Sequence, residues 1–358
     1  MLEEAKNIFI VGIKGVAMAN LAVILKKMGK NVSGSDVEEE FISDEVLKRN
    51  NIRWSTGFKP DNLPQNVDLV VYSAAHKGSD NEQVEAAKRL NIPVASQAQI
   101  LGELTRQFKT VLAVAGSHGK TTTSSLLSFA LIKLGVKPSY LVGTSSFNEF
   151  AGGDFLGTDY FVIEADEYAV DPPLNKTPKF HSLEPDFILC TNIDFDHPDV
   201  YKNIQHVQEE FLQFFDQKKL ILCADDQPST AILNELDRSM YFTYGYKENA
   251  DLRIHNPQTT ENSSSFELEF NKKPLCEFRI SIFGKKNISN AVGVVLTLLK
   301  LGFSSEKIKF SIKDFSGSKR RFEFIFAKNN TSLFDDYGHH PKEIETTILA
   351  ARERFPGK

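Results

Sequence analysis

The segment AVAGSHGKTTT at residues 113–123 follows an apolar strand-like run (110–115) and begins a stretch whose apolar residues have helical spacing. A strand, a glycine turn and a helix in this order form the context of a P-loop, where backbone amides and the positive end of the helix dipole face an anion. Gly116 and Gly119 would let the backbone turn its amides toward that anion. The segment therefore predicts an α/β unit with a phosphate site.

The side chains of this loop indicate which anion it would hold. Lys120 is expected to pair with the outer phosphates of a nucleotide, and Thr121 is expected to hold Mg²⁺. The strict motif would place a glycine at Val114, so the loop is a shorter variant, and a glycine turn with a lysine by coincidence is the alternative. The candidate nucleotide-binding residues here are Gly116, Ser117, His118, Gly119, Lys120, Thr121 and Thr122.

Strand and helix patterns alternate on both sides of the loop, which predicts an α/β fold with parallel sheets. Residues 250–282 alternate polar and apolar side chains and predict antiparallel strands added to the second sheet. We predict an N-terminal Rossmann-like domain at 1–107, a central P-loop domain at 108–321, and the start of a third Rossmann-like domain at 322–358. The third domain is expected to be truncated, because one strand and one helix cannot bury their own apolar faces.

Composition excludes several classes of protein. The 358 residues are 41% hydrophobic and 25% charged, as in ordinary globular proteins. The 42 Lys and Arg against 47 Asp and Glu give a net charge of -5, which argues against a nucleic-acid partner. Neither a targeting segment nor an apolar run of membrane-spanning length is visible, so no membrane partner is expected. Three widely spaced cysteines favour a reducing, cytoplasmic location.

Two acidic segments follow later strand-like runs. FVIEADEY at 161–168 places Glu164 just past an apolar run, and TNIDFDHPDVY at 191–201 clusters carboxylates with His197. Ligands of open α/β sheets collect at the carboxyl ends of the strands, and Mg²⁺ on phosphates takes one or two carboxylates. Glu164 and His197 are therefore candidate metal residues together with Thr121. A solvated strand end and a capped Asp-His-Pro turn are the alternatives.

The N-terminal glycine turn, GIKGVAMANLA at 12–22, resembles a dinucleotide fingerprint but lacks its third glycine. This gives weak support to NAD binding and better support to a nucleotide-diphosphate site, with simple packing glycines as the alternative. Polar residues follow the next two strand-like runs of this region. The candidate substrate-binding residues are Gly12, Gly15, Asp36, Ser73 and His76.

Seven segments in one order give the whole chain a resemblance to the Mur ligases. They are VYSAA (71–75), GSHGKTTT (116–123), EADE (164–167), TNIDFDHPD (191–199), KNISN (286–290), KRRFE (319–323) and DDYGHHP (335–341). The resemblance implies an ATP-dependent amide ligase of peptidoglycan precursor synthesis, with ATP and Mg²⁺ as cofactors. It further implies UDP-N-acetylmuramate as the sugar substrate, which the N-terminal domain would hold.

The resemblance also assigns roles to individual residues. Lys120, Glu164, His197 and Arg321 would be catalytic, with Thr121, Glu164 and His197 at the metal. Asn287 and Asn290 would face adenine, and Arg321 and Asp336 would reach the phosphates and ribose of ATP. The weaker assignments to the UDP part are Asp36, Ser73 and His76.

The resemblance leaves the amine open between L-alanine and the tripeptide L-Ala-γ-D-Glu-meso-diaminopimelate. VYSAA and DDYGHHP favour L-alanine, whereas the long stretch after EADE (167–185) resembles the branch that attaches the tripeptide. Two other classes remain as alternatives: a nucleotide-sugar binding module without catalysis, and an NAD-dependent reductase.

Overall fold

The computed structural model describes residues 1–329 and 331–357. Its strands are β1 (Asn7–Val11), β2 (Asn31–Asp36), β3 (Arg53–Thr56), β4 (Leu69–Tyr72), β5 (Val94–Ser96), β6 (Thr110–Ala115), β7 (Ser139–Phe147), β8 (Phe150–Asp154), β9 (Tyr160–Glu164), β10 (Ala169–Asp171), β11 (Asn175–Pro178), β12 (Phe187–Cys190), β13 (Lys219–Cys223), β14 (Tyr241–Gly245), β15 (Leu252–Thr259), β16 (Ser264–Phe270), β17 (Lys273–Ile280), β18 (Glu323–Lys328) and β19 (Thr331–Asp335). Its α-helices are α1 (Val16–Lys27), α2 (Asp44–Arg49), α3 (Glu82–Arg89), α4 (Gln97–Thr105), α5 (Lys120–Lys133), α6 (Ile204–Phe215), α7 (Gln227–Ala231), α8 (Lys285–Lys300), α9 (Ser305–Ile312) and α10 (Pro341–Arg354).

The chain divides into two compact units that interleave along the sequence. The first comprises Met1–Val111, Pro138–Ser145 and Ala151–Pro185, and the second comprises Leu112–Lys137, Ser146–Phe150 and Asp186–Lys358. The division into three domains at residues 107 and 321 stays a prediction.

The first unit contains a parallel sheet in the order β3-β2-β1-β4-β5. Its central strand β1 is almost entirely buried, because its apolar run is covered on both faces. The unit also contains the parallel pair β7–β9 and the antiparallel hairpin β10–β11. The predicted α/β class is confirmed, and β3 is an additional edge strand that its polar sequence RWST did not indicate.

The second unit contains the strand order β17-β16-β15-β14-β13-β12-β6. Strands β6, β12, β13 and β14 run parallel, while β15, β16 and β17 form the antiparallel addition expected from the alternating pattern of 250–282. Helix α8 packs on these strands, and α5 packs against α8 and α9. The carboxyl ends of β6 and β12 lie side by side, since Ala115 pairs with Cys190.

The last part of the chain differs from the simple pattern of one strand and one helix. A second strand, β19, pairs antiparallel with β18 before α10 begins. Phe324, Phe326, Ile344 and Ile348 are exposed on these elements.

Among the described residues, none of the helices combines the length and hydropathy that crossing a bilayer requires.

Helix α2 begins at Asp44, although the sequence of residues 39–50 as a whole has a mixed helical pattern. The cause is Lys14, whose side chain is only 2% exposed. Its ammonium donates hydrogen bonds to the carbonyl oxygens of Val37 and Glu39 and lies 3.4 Å from an Asp44 carboxylate oxygen. These contacts hold the preceding residues in a loop.

We expect Lys14→Met to lower the free energy of unfolding by about 3 kcal/mol, because it leaves the Asp44 carboxylate without its buried cation. Lys26→Met is the matched control, since the Lys26 ammonium bonds the Asn51 carbonyl at the exposed surface and its loss should cost under ~0.5 kcal/mol. Urea unfolding of both variants measures the difference. Equal losses of unfolding free energy in the two variants would contradict a stabilising role for the buried Lys14 ammonium.

Candidate functional site

The glycine loop between β6 and α5 has the backbone that its sequence predicts. Gly116 and Gly119 have φ values of +124° and +85°, which side chains rarely permit. A Cβ atom on Gly116 would lie 2.4 Å from the Thr191 hydroxyl oxygen, so only glycine fits there. Helix α5 begins at Lys120, so the positive end of its dipole faces the loop.

Residues that follow β12 hold this loop in place. The Asn192 side-chain carbonyl accepts from the His118 N–H (3.0 Å), and its amide donates to the His118 carbonyl (2.7 Å). The Thr191 hydroxyl donates to the same carbonyl at 2.6 Å, and the Asp194 N–H donates to the Ser117 hydroxyl at 2.8 Å. Thr191, Asn192 and Asp194 thus support the loop, a role that the sequence did not reveal.

The candidate phosphate-binding cations lie at this loop. The Lys120 ammonium donates to the carbonyl oxygens of Gly116 (2.6 Å) and Ser117 (3.3 Å). An Arg321 guanidinium nitrogen lies 3.5 Å from the Thr121 hydroxyl oxygen. Arg321, which is 200 residues from Thr121 in the sequence, therefore lies at the loop that carries Lys120 and Thr121.

The residues before and at the start of α10 also meet the loop. The Lys342 ammonium lies 2.5 Å from an Asp194 carboxylate oxygen, which is also 3.3 Å from Nε2 of His118. A Glu343 carboxylate oxygen lies 3.4 Å from Nδ1 of His118, and the His340 ring is centred 4.8 Å from that of His118. His118, Asp194 and His340 have metal-ligating atoms within 4.8 Å of one another, yet Lys342 already neutralises Asp194.

The two carboxylates of this cluster have lowered pKa values. Burial raises the pKa of Glu343, but hydrogen bonds from His118 and the His339 N–H, with the charge of Arg321, outweigh it and leave the pKa at about 2. Burial likewise raises the pKa of Asp194, and the hydrogen bond and charge of Lys342 bring it below the usual range. Both carboxylates are therefore ionised at neutral pH and bind their cationic partners.

The pKa of Glu343 predicts a pH-dependent contribution to stability. A carboxyl whose pKa is lower in the folded than in the unfolded state stabilises the fold fully above the unfolded value, near 4.5, and loses this contribution as pH falls toward 2. We expect urea unfolding to show Glu343→Gln less stable than the parent chain at pH 6, with a smaller difference at pH 3.5. Glu345→Gln, on the same helix, is the control. A difference that grows on acidification would contradict the assignment.

A cleft of about 410 Å³ lies beside the glycine loop in the second unit. Within the described residues, the side-chain oxygen of Asn290 is buried without a hydrogen-bond partner, which suits a ligand donor in the cleft. The Asn287 amide donates to the Phe283 carbonyl at 2.8 Å. Residues predicted from the sequence that line the cleft are His118, Gly119, Thr122, Asn287, Asn290, Arg321 and Asp336. The lining also includes residues that were not predicted, among them Asp226, Lys286, Lys342, Glu343 and Thr346.

The candidate substrate residues Gly12, Gly15, Asp36, Ser73 and His76 also form one cluster in the first unit, called here the Gly12 cluster. Nε2 of His76 lies 3.3 Å from an Asp36 carboxylate oxygen, and Asp36 is buried. A Cβ atom on Gly12 would lie 2.7 Å from the Ser73 hydroxyl oxygen, so the Ser73 side chain packs on the glycine turn. Gly15 caps the start of α1, where backbone amides are free to face an anion.

The predicted metal residues Glu164 and His197 belong to different compact units. Glu164 ends β9, and its carboxylate accepts the N–H of Gly143. His197 has φ +56°, and its N–H donates to the Asp196 carboxylate at 2.7 Å. Their metal-binding role stays a prediction.

Comparison with known proteins adds family membership to this geometry. Residues 7–109 match the Mur ligase family, catalytic domain, and residues 114–298 match the Mur ligase middle domain. The chain is 36% identical to the UDP-N-acetylmuramate--L-alanine ligase of Desulfitobacterium hafniense over 358 residues, covering 98% of this chain and 76% of that protein. The corresponding ligase of Aquifex aeolicus is also 36% identical, with coverages of 99% and 76%.

Solved structures agree with these sequence matches. The UDP-N-acetylmuramate-alanine ligase of Thermotoga maritima superposes with a TM-score of 0.85 at 25% identity, covering 98% of this chain and 79% of that one. The UDP-N-acetylmuramate:L-alanyl-gamma-D-glutamyl-meso-diaminopimelate ligase of Neisseria meningitides superposes with a TM-score of 0.78 at 26% identity. This match covers 88% of this chain and 99% of that one. With the domain matches and the two sites described above, these similarities show that the chain belongs to the Mur ligase family.

Proposed function

We propose that this chain binds ATP at the glycine loop and UDP-N-acetylmuramate at the Gly12 cluster, and acts in ATP-dependent ligation of L-alanine to the sugar. The observation that carries the proposal is that Arg321 and Asp336 line the cleft beside the glycine loop on which the Lys120 ammonium is held. The named relatives at about 35% identity are L-alanine ligases, which supports L-alanine as the amine.

The residues of the cleft suit the transfer of a phosphoryl group to a carboxylate. Lys120 and Arg321 would neutralise charge on the γ-phosphoryl as the lactyl carboxylate attacks it, giving an acyl phosphate and ADP. The amine then attacks the acyl carbon and phosphate leaves. Alignment of the reactants can contribute about 7 to 11 kcal/mol, whereas a helix dipole contributes about 0.3 to 1 kcal/mol. Positioning of the reactants is therefore the main contribution of the protein.

Thr121 would hold Mg²⁺ at the glycine loop, and the metal-binding role of Glu164 and His197 stays a prediction from the family resemblance. Hydroxyl and carboxylate oxygens are ligands that Mg²⁺ accepts, so Thr121 and Glu164 fit this ion by their chemistry. When bound, Mg²⁺ neutralises phosphate charge. Asn290, whose buried side-chain oxygen has no hydrogen-bond partner among the described residues, suits acceptance of a hydrogen bond from the adenine amino group. Asp336 lines the same cleft and suits the ribose hydroxyls.

Ligation of the tripeptide is a second candidate, and the hairpin β10–β11 favours it. The hairpin lies in the stretch 167–185, the part of the sequence that resembles the tripeptide branch, and the ligase of Neisseria meningitides whose name includes this tripeptide superposes with a TM-score of 0.78. Cytoplasmic location stays a prediction.

The test is phosphate release from ATP with UDP-N-acetylmuramate and one amine at a time: L-alanine, L-serine, glycine or the tripeptide. We expect release to require the sugar nucleotide and to be fastest with L-alanine. Calorimetry with ATP and with UDP-N-acetylmuramate reports binding independently of turnover. Binding of the sugar nucleotide without binding of ATP would instead favour a module without catalysis, and fastest release with the tripeptide would favour the second candidate.

A further inference from the structure

The loop that carries His76 has an unfavourable backbone. His76, Lys77 and Gly78 are three consecutive residues in the left-handed region, with φ values of 55°, 73° and 52°. Two of them carry side chains, for which this region costs on the order of 1–3 kcal/mol each. Such a conformation persists only where surrounding contacts hold it.

Asp171 supplies such contacts from the hairpin β10–β11. Its carboxylate accepts the N–H of Ser79 at 3.1 Å and is only 5% exposed. The other carboxylate oxygen packs directly on Gly78, because a Cβ atom there would lie 1.7 Å from it. Asp171 pairs with Asn175 across the hairpin, so the hairpin fixes the position of the carboxylate.

The loop in turn places an imidazole at the candidate sugar-nucleotide site. Nε2 of His76 lies 3.3 Å from the buried Asp36, and the His76 ring is centred 4.8 Å from the ring of Phe58. A Cβ atom on Gly12 would lie 3.5 Å from Cδ2 of His76, so the ring borders the glycine turn. The position of this ring therefore depends on the loop that Asp171 holds.

We propose that Asp171 is a positioning residue for sugar-nucleotide binding, because its carboxylate fixes the loop 76–80 and thereby the His76 imidazole beside the Gly12 turn. The inference rests on the proposed function for the identity of the ligand, UDP-N-acetylmuramate. It gives the hairpin β10–β11 a defined role, since the hairpin sets the affinity of the first unit for its ligand, although Asp171 contacts the loop and not the Gly12 cluster itself.

The experiment compares Asp171→Ala with Asp171→Asn. Asp171→Ala should weaken binding of UDP-N-acetylmuramate at least ~10-fold in calorimetry and leave ATP binding within ~2-fold, because the glycine loop belongs to the other unit. Asp171→Asn keeps an oxygen that can accept the Ser79 N–H and should stay within ~3-fold of the parent chain. Asp154→Ala is the matched control, since Asp154 belongs to the same unit and its carboxylate pairs with Lys27.

A double substitution separates positioning from general destabilisation. If Asp171 acts through the imidazole, adding Asp171→Ala to a His76→Ala chain should change the affinity less than ~2-fold. If Asp171 acted only by stabilising the fold, the losses of affinity from the two substitutions would be additive. Binding of both UDP-N-acetylmuramate and ATP would then weaken. If Asp171→Ala fails to fold, Gly78→Ala tests the same contact, because its methyl group displaces the carboxylate, and it should also weaken sugar-nucleotide binding at least ~10-fold.

A measurement without ligand distinguishes failure of the inference from failure of the proposed function. Histidine-selective NMR should show the His76 ring resonances displaced in Asp171→Ala and retained in Asp171→Asn. Displaced resonances in a chain that does not bind UDP-N-acetylmuramate would support the positioning role and contradict the proposed ligand. Unchanged His76 resonances, or parental affinity in Asp171→Ala, would overturn the inference.

Discussion

Lys120→Ala is expected to lower ATP-dependent phosphate release by at least ~10²-fold, because removal of a preorganised charge that faces a reacting group has costs of this size. The Lys120 ammonium lies within hydrogen-bond distance of the Gly116 and Ser117 carbonyls, so it is held on the glycine loop. Trapping of the acyl phosphate as a hydroxamate measures the first chemical step. Its yield should fall in parallel with phosphate release.

The control for this variant is Lys133→Ala, on the same helix. The Lys133 ammonium pairs with the exposed Glu149 at 3.2 Å and should be dispensable for turnover. UDP-N-acetylmuramate should bind Lys120→Ala with parental affinity, since the Gly12 cluster belongs to the other compact unit. Loss of both ligands would show that the two sites are not separate, and parental turnover would remove Lys120 from the mechanism.

Gly116→Ala is expected to abolish ATP binding, with an increase in Kd of at least ~10²-fold. Its φ of +124° is unfavourable for a side chain, and the added methyl group would lie 2.4 Å from the Thr191 hydroxyl and 2.8 Å from the Asn192 carbonyl. The loop must then move away from β12, which breaks the hydrogen bonds that aim its amides. Calorimetry with ATP measures the loss of affinity, and thermal unfolding measures the accompanying loss of stability.

Gly135→Ala is the control that separates the effect of an unfavourable backbone conformation from the effect of a steric clash, both of which occur in Gly116→Ala. Gly135 also has a positive φ, +80°, but a Cβ atom there would meet no atom of the described residues within 4 Å. The control should lose about 1 kcal/mol of stability and retain parental ATP affinity. Similar ATP affinities in the two variants would mean that the packing of Gly116 against Thr191 is unimportant.

The features that could be predicted from the sequence each lie within a short segment of the chain. The glycine loop could be identified because its turn, its lysine and its helix start lie within the segment 113–123. The antiparallel strands of 250–282 could be identified because alternation of polar and apolar residues reports one buried face. The family could be recognised from seven short segments in a fixed order, and the comparisons confirm it.

The part that sequence reasoning missed depends on neighbours that are distant in the chain. Asn192 and Asp194 lie in the acidic segment 191–201, and the pairing of β6 with β12 brings them to the glycine loop, where they bond His118 and Ser117. Helix α2 starts late because the buried Lys14 holds the residues before it. No local pattern reports such contacts, since each partner alone looks like an ordinary polar residue.

The sequence by itself determined the α/β class, the phosphate loop and the family, because these follow from residue order and periodicity over short spans. Only the tertiary structure decided which polar side chains serve the sites. Asn192 bonds His118 although 74 residues separate them, and Asp171 accepts a hydrogen bond from Ser79 across 92 residues. Strand order and loop packing create these contacts, and both arise from burial of apolar faces far from the residues that meet.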